Sequence, residues 1–163
     1  MRKTLTSVGA LVAILVGFGL FAPSANAAVY SEMLRSWKTG GCLDSDGAGK
    51  VYMRGCHEDR GNAYQIWNFT PNGAPWFLIQ NKATKRCLHA TGSGNGAPLY
   101  TGSCATGDAT ALWQQVANGS SPPDYQARYK PAQWQWVCLD GYGLSAYTHT
   151  CNNDGYQIWR RGF

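Results

Sequence analysis

Gln65-Ile66-Trp67 returns at the end of the chain as Gln157-Ile158-Trp159, and Ala111-Leu112-Trp113 stands midway between them. Trp67, Trp113 and Trp159 are 46 residues apart in both steps, so the chain is built on a repeat. Cysteines keep the same beat. Cys56, Cys104 and Cys151 follow one another at 48 and 47 residues, and Cys42, Cys87 and Cys138 at 45 and 51. The longer step falls where Asn118-Gly119-Ser120-Ser121-Pro122-Pro123 reads as a turn-rich surface insertion. Leu43, Leu88 and Leu139 each follow a first cysteine, which makes the unit Cys-Leu-x, a glycine-containing stretch, Cys, and then x-x-Trp.

Within each unit the residues read as short strands between turn clusters, as in Lys50-Val51-Tyr52-Met53, Pro75-Trp76-Phe77-Leu78-Ile79 and Tyr125-Gln126-Ala127-Arg128-Tyr129. No window holds a helical period. A unit this short cannot bury its own Leu and Trp, so three must share one core about a pseudo-threefold axis. The expected fold is therefore all-β, a β-trefoil of three repeats of about 46 residues, at roughly 36–75, 76–124 and 125–163. Trp67, Trp113, Trp159, Ile66, Leu112, Ile158, Leu43, Leu88 and Leu139 form the expected core.

Six cysteines allow fifteen pairings, and the threefold repeat favours the one in which each unit closes its own loop: Cys42–Cys56, Cys87–Cys104 and Cys138–Cys151. Metal binding would need closer Cys or His spacing, so no metal and no cofactor is expected. Disulfides also fit the start of the chain. Arg2 and Lys3, an apolar run from Val8 to Phe21, and Ala25-Asn26-Ala27 read as a signal peptide over residues 1–27, leaving 28–163 as one secreted, extracellular domain. The apolar run is too short for a spanning helix, and no membrane insertion is expected.

Charge narrows the partners. Loss of Arg2 and Lys3 takes the formal net charge from +5 to +3, with the basic residues scattered, which does not support nucleic-acid binding. Only 14% of residues are charged, while there are seven Trp, nine Tyr and twenty Gly. A neutral, polar, aromatic surface suits glycans or polysaccharide better than phosphates. Neither paired carboxylates nor a nucleophile with its base can be picked out, so the chain does not read as an enzyme.

The repeated Cys-x-Asp and Gln-x-Trp motifs resemble those of the ricin-type lectins, over essentially all of residues 36–163. Within them the third unit is similar to the actinohivin-like lectins, small mannose-binding proteins of actinomycetes, through Cys138-Leu139-Asp140, Ala146-Tyr147, Cys151-Asn152 and Tyr156-Gln157-Ile158-Trp159. That resemblance implies a sugar site of Asp140, Tyr147, Asn152 and Tyr156, and a second of Asp44, Tyr52, His57 and Tyr64 with His57 where Asn is expected. The middle unit has His89 for Asp, Ala105 for Asn and Thr110 for Tyr while keeping Tyr100, and is expected to be inactive or altered. Tyr64 and Tyr156 precede the Gln where galactose-binding ricin units carry Asn, which argues against transferring galactose specificity.

These residue types have the right chemistry. A carboxylate, taken here as a loop group near solvent, accepts two vicinal hydroxyls; an amide donates and accepts; tyrosine rings cover the apolar C–H face of a pyranose. Gln65 and Gln157 are expected to brace the loops. A trefoil also hosts protein-binding functions, so an inhibitor, or a recognition subunit of a larger secreted complex such as a toxin, is the rival expectation.

Overall fold

A computed structural model describes residues 29–117, 126–152 and 154–161. Residues 1–27, expected to be a signal peptide, the expected insertion at 118–123, Tyr125 and Asn153 lie outside the described residues. Thirteen strands and two single 3-10 turns make up the regular structure of that part. β1 (Tyr30–Met33) and β2 (Arg35–Ser36) are separated only by Leu34. They are followed by β3 (Cys42–Ser45), β4 (Val51–Arg54), β5 (Ile66–Pro71), β6 (Trp76–Asn81) and β7 (Cys87–Ala90). The rest are β8 (Ala97–Gly102), β9 (Leu112–Ala117), β10 (Gln126–Pro131), β11 (Val137–Tyr142), β12 (Ser145–Thr150) and β13 (Trp159–Arg160).

The antiparallel pairings run β1–β5–β6–β9–β10–β13–β2, and because β2 continues β1 the ring closes on itself. Closure leaves the barrel without an exposed edge. Three hairpins cap it, one per unit: β3–β4, β7–β8 and β11–β12. Their second strands meet around the axis through Ser145 and Tyr52, Lys50 and Tyr100, and Pro98 and Tyr147. This is a β-trefoil.

Each unit locks its hairpin to the barrel in the same way. The indole N–H of Trp67 donates to the Leu43 carbonyl at 3.0 Å, that of Trp113 to Leu88 at 2.9 Å, and that of Trp159 to Leu139 at 3.0 Å. All six side chains are fully buried. Burial of each contributes about 1.5–3 kcal/mol, and the indole satisfies a carbonyl that would otherwise be orphaned in the core. Three expected core members sit off the centre. Ile66 belongs to a satellite cluster with Met33 and Cys42, Leu112 is only half-buried against Leu78 and Cys87, and Ile158, though buried, lies outside the central cluster.

The disulfides pair Cys42 with Cys56, Cys87 with Cys104 and Cys138 with Cys151, closing separations of 14, 17 and 13 residues. Loops of this size restrict the unfolded chain by about 3 kcal/mol apiece in the chain-entropy account. Each disulfide ties the start of a hairpin to its end, which holds the third residue of Cys-Leu-x against the loop that carries the Gln.

Candidate functional site

The third residue of each Cys-Leu-x faces the repeated tyrosine directly across its hairpin: Asp44 opposite Tyr52, His89 opposite Tyr100, and Asp140 opposite Tyr147. Cross-strand neighbours are about 5 Å apart at Cβ, so the register sets each pair side by side. Neither aspartate is the loop carboxylate near solvent that the sequence suggests. Asp44 and Asp140 lie in β3 and β11 and are 1% and 5% exposed.

A buried carboxylate needs partners, and the Gln of Gln-x-Trp supplies one. Gln157 Nε2 donates to Asp140 Oδ2 at 3.0 Å and to the Thr150 carbonyl at 3.0 Å, while its Oε1 accepts the Asn152 N–H at 2.8 Å. In unit 1 the pattern repeats: Gln65 Nε2 donates to Asp44 Oδ2 at 3.0 Å and to the Gly55 carbonyl at 2.9 Å, and Oε1 accepts the His57 N–H at 2.8 Å. The other carboxylate oxygen of each pair, Oδ1, is buried without a close, well-aligned donor among the described residues, and the tyrosine phenol across the hairpin is the polar group beside the carboxylate, Tyr147 at Asp140 and Tyr52 at Asp44. Two units therefore hold a carboxylate in the same place between a Gln amide and a tyrosine.

Around Asp140 the structure brings together Tyr147, Tyr156 and Tyr142. Tyr142 stands two residues along β11 and so on the same side of the strand. Its ring packs edge-on against Tyr156, centroids 5.2 Å apart, and is 60% exposed. His149, two residues from Tyr147 on β12, is a further neighbour. Burial raises the Asp140 carboxyl above its ordinary value, an effect opposed by the Gln157 amide, His149 and the Tyr147 phenol. Tyr147 is itself raised by burial and by the charge of Asp140. Asn152 is exposed, and its Oδ1 accepts the Asp154 N–H at 2.8 Å, so that oxygen serves the loop.

In unit 1 a cleft is lined by Asp44, Asp46, Gly47, Tyr52, Arg54, Asn62 and Tyr64. Tyr52 is raised by burial and by Asp44, with Arg54 opposing. His57 does not line this cleft. Its side chain is exposed and its backbone N–H is the group held by Gln65. The amide comes instead from Asn62, whose Oδ1 caps the 3-10 turn Ala63–Gln65 by accepting the Tyr64 N–H at 3.1 Å while Nδ2 donates to Asp44 Oδ2 at 3.3 Å. The three extra residues between Cys56 and Trp67 conceal this position in the sequence. Polar residues three before the Gln position, at Asn62, Asp108 and Asp154, are the signal that could have found it.

Unit 2 has lost both members of the Asp–Gln pair, with His89 and Ala111 in their places. His89 Nε2, facing a carbonyl and hence carrying a proton, lies 2.8 Å from the Ser103 oxygen, the position that Gln bonds in the other units. Nδ1 lies 2.9 Å from Thr110 Oγ1. Thr110 in turn donates to Asp108 Oδ1 from its hydroxyl at 2.6 Å and its N–H at 2.9 Å, which lowers the Asp108 carboxyl. Tyr100 stacks on the imidazole at 4.7 Å, and a Cβ at Gly102 would meet Tyr100 Cε2 at 2.9 Å and His89 Nε2 at 3.1 Å. The unit is filled by its own side chains.

The ricin-type β-trefoil lectin domain matches residues 30–159. The chain belongs to that family. No curated protein matches this lectin-domain chain. Among solved structures it is similar to the designed threefold-symmetric protein ThreeFoil, with TM-score 0.70 and 17% identity, over 80% of this chain and 96% of the other. The hemolytic lectin CEL-III matches with TM-score 0.66 and 23% identity over 82% of this chain, which spans only 30% of CEL-III. SeviL, solved bound to the asialo-GM1 saccharide, matches with TM-score 0.62 and 14% identity over 83% and 98% of the two chains. At these identities the likeness to the three structures shows a shared fold alone. Among the described residues no group of His, Cys, Asp or Glu is arranged to hold a metal ion, and no helix is long and apolar enough to cross a membrane.

Proposed function

We propose that the chain is a secreted lectin that recognises neutral glycans, of mannose type, through unit 3 and more weakly through unit 1, with unit 2 silent. The observation that supports this most strongly is the pairing, in units 3 and 1, of a Gln-held aspartate, Asp140 or Asp44, with a tyrosine directly across its hairpin. A sugar hydroxyl donating to the carboxylate, once the tyrosine beside it shifts to uncover it, would make a charge-assisted bond worth about 1.5–3 kcal/mol. Gln157 and Gln65 fix the carboxylate so that little freedom is lost on binding. Tyr147 and Tyr156, and Tyr52 and Tyr64, offer ring surface to the apolar face of the sugar. In unit 1, Asn62 in place of His57 adds the amide.

The mannose preference rests on the likeness of unit 3 to the actinohivin-like lectins, and secretion rests on residues 1–27. A site with a few polar contacts gives roughly 0.1–1 mM affinity, so retention on a polymeric glycan relies on two sites acting together. The test is retention of the puried mature protein on immobilised mannan, galactan and xylan, beside Asp140→Asn. Binding to mannan that weakens in an Asp140→Asn variant that remains folded at the assay temperature supports the reading. Protein that ignores every glycan but captures a protein partner would favour the recognition-subunit alternative.

A further inference from the structure

The pseudo-threefold axis allows each position to be compared with two counterparts, and at the exposed Trp37 neither counterpart is aromatic. Trp37 follows β2 and donates its backbone N–H to the Ile158 carbonyl at 2.8 Å. The same bond is made by Lys82 to Ile66 at 2.8 Å and by Ala132 to Leu112 at 2.7 Å. The backbone bond that joins one unit to the next is thus made equally well by lysine and by alanine. An indole here is surplus to the fold, and it occurs only beside unit 3.

Its setting is organised. The Arg160 guanidinium lies over one face of the Trp37 ring, 3.8 Å from the centroid, yet the side chain is 46% exposed. The ring edge rests against the turn that carries Tyr156: a Cβ at Gly155 would meet Trp37 Cδ1 at 3.0 Å and Lys38 Cβ at 3.3 Å. Lys38 Nζ is 5.9 Å from the Tyr156 centroid, on a ring whose other neighbour is Tyr142. From Asp140 outward, the surface runs through Tyr147, Tyr142, Tyr156 and Lys38 to Trp37. Stacking by arginine holds the indole in place, which lowers the ordering cost of using its open face.

We propose that Trp37 is a second saccharide subsite of unit 3, stacking a further pyranose along a neutral oligosaccharide whose first residue is held at Asp140. This rests on the glycan-binding reading of unit 3. It assigns that unit a preference for chains over single sugars, which unit 1 lacks because Lys82 occupies the matching position.

Calorimetric titration with mannotriose and methyl α-mannoside, and with a galactotriose and methyl galactoside as a second pair, tests it on the wild type, Trp37→Ala, Trp37→Phe and Asp140→Asn. Trp37→Ala should weaken the bound trisaccharide about five- to tenfold while its methyl glycoside stays within about twofold, and Trp37→Phe should keep most of the trisaccharide affinity. Equal affinities of wild type and Trp37→Ala for the trisaccharide, or equal losses on both ligands, would overturn the subsite and leave the Asp140 reading intact. If neither pair binds, or if Asp140→Asn binds both like the wild type, the reading of unit 3 fails and the subsite with it.

Discussion

Gln157 and Asp140 form a buried pair in which the amide holds one carboxylate oxygen at 3.0 Å, with the Tyr147 phenol beside the same carboxylate. Gln65 and Asp44 repeat it at 3.0 Å, and unit 2 has lost both halves together. The Gln of Gln-x-Trp is thus a positioning residue in both units that keep it. Its amide makes a buried strand aspartate tolerable.

Asp140→Asn keeps an acceptor for Gln157 and removes the charge. Binding at unit 3 should fall by about 1.5–3 kcal/mol, roughly ten- to a hundredfold. On immobilised mannan the loss should be largest for Asp140→Asn, smaller for Asp44→Asn and negligible for His89→Ala scored on folded protein. Equal losses in all three would contradict the ranking.

The raised Asp140 carboxyl gives two opposite pH dependences. The folded chain binds this proton more tightly than the unfolded chain, so the linked stabilisation is complete below the ordinary value of 3.8 and is lost as pH rises through the raised folded value. Sugar binding needs the ionised form and should fade as pH falls through that same value. From pH 3 to 7 the stability of the wild type relative to Asp140→Asn should therefore fall while its advantage in mannan binding grows, the lowered Asp108 carboxyl affecting both proteins alike.

Removing Gln157 leaves Asp140 Oδ2, the Thr150 carbonyl and the Asn152 N–H without their shared partner. Gln157→Ala should cost about 2–5 kcal/mol in chemical denaturation and weaken glycan binding as well.

In unit 2, His89→Asp alone strips the Ser103 carbonyl of its donor and sets a carboxylate near Asp108. Adding Ala111→Gln supplies the amide that the other units use. The double variant should be more stable than His89→Asp by at least about 1 kcal/mol, a coupling measurable in a double-mutant cycle. Additive costs would mean that the Asp–Gln pair is not the unit that the repeats exchange.

The fold was legible because its determinants recur. Trp67, Trp113 and Trp159 keep an equal spacing, and each cysteine pair falls inside one period. Asp44, Tyr52, Asp140 and Tyr147 were legible for the same reason, since hairpin register converts repeat position into cross-strand contact. Burial of the aspartates was not. Cys42–Ser45 is buried at every position and Val137–Tyr142 at every position but the last, so neither strand shows the alternation that marks a solvent face. Asn62 was hidden by the longer loop of unit 1, and Tyr142 by the assumption that Asp140 begins a loop rather than continuing a strand. Trp37 belongs to one unit in sequence and to another in space, which no repeat alignment reveals.

The most direct measurement is retention on immobilised mannan of the double variant Asp44→Asn/Asp140→Asn against the wild type, both shown to be folded at the assay temperature. Near-complete loss of retention from the folded variant is the expected result. Undiminished retention would contradict the claim that these two carboxylates hold the sugar.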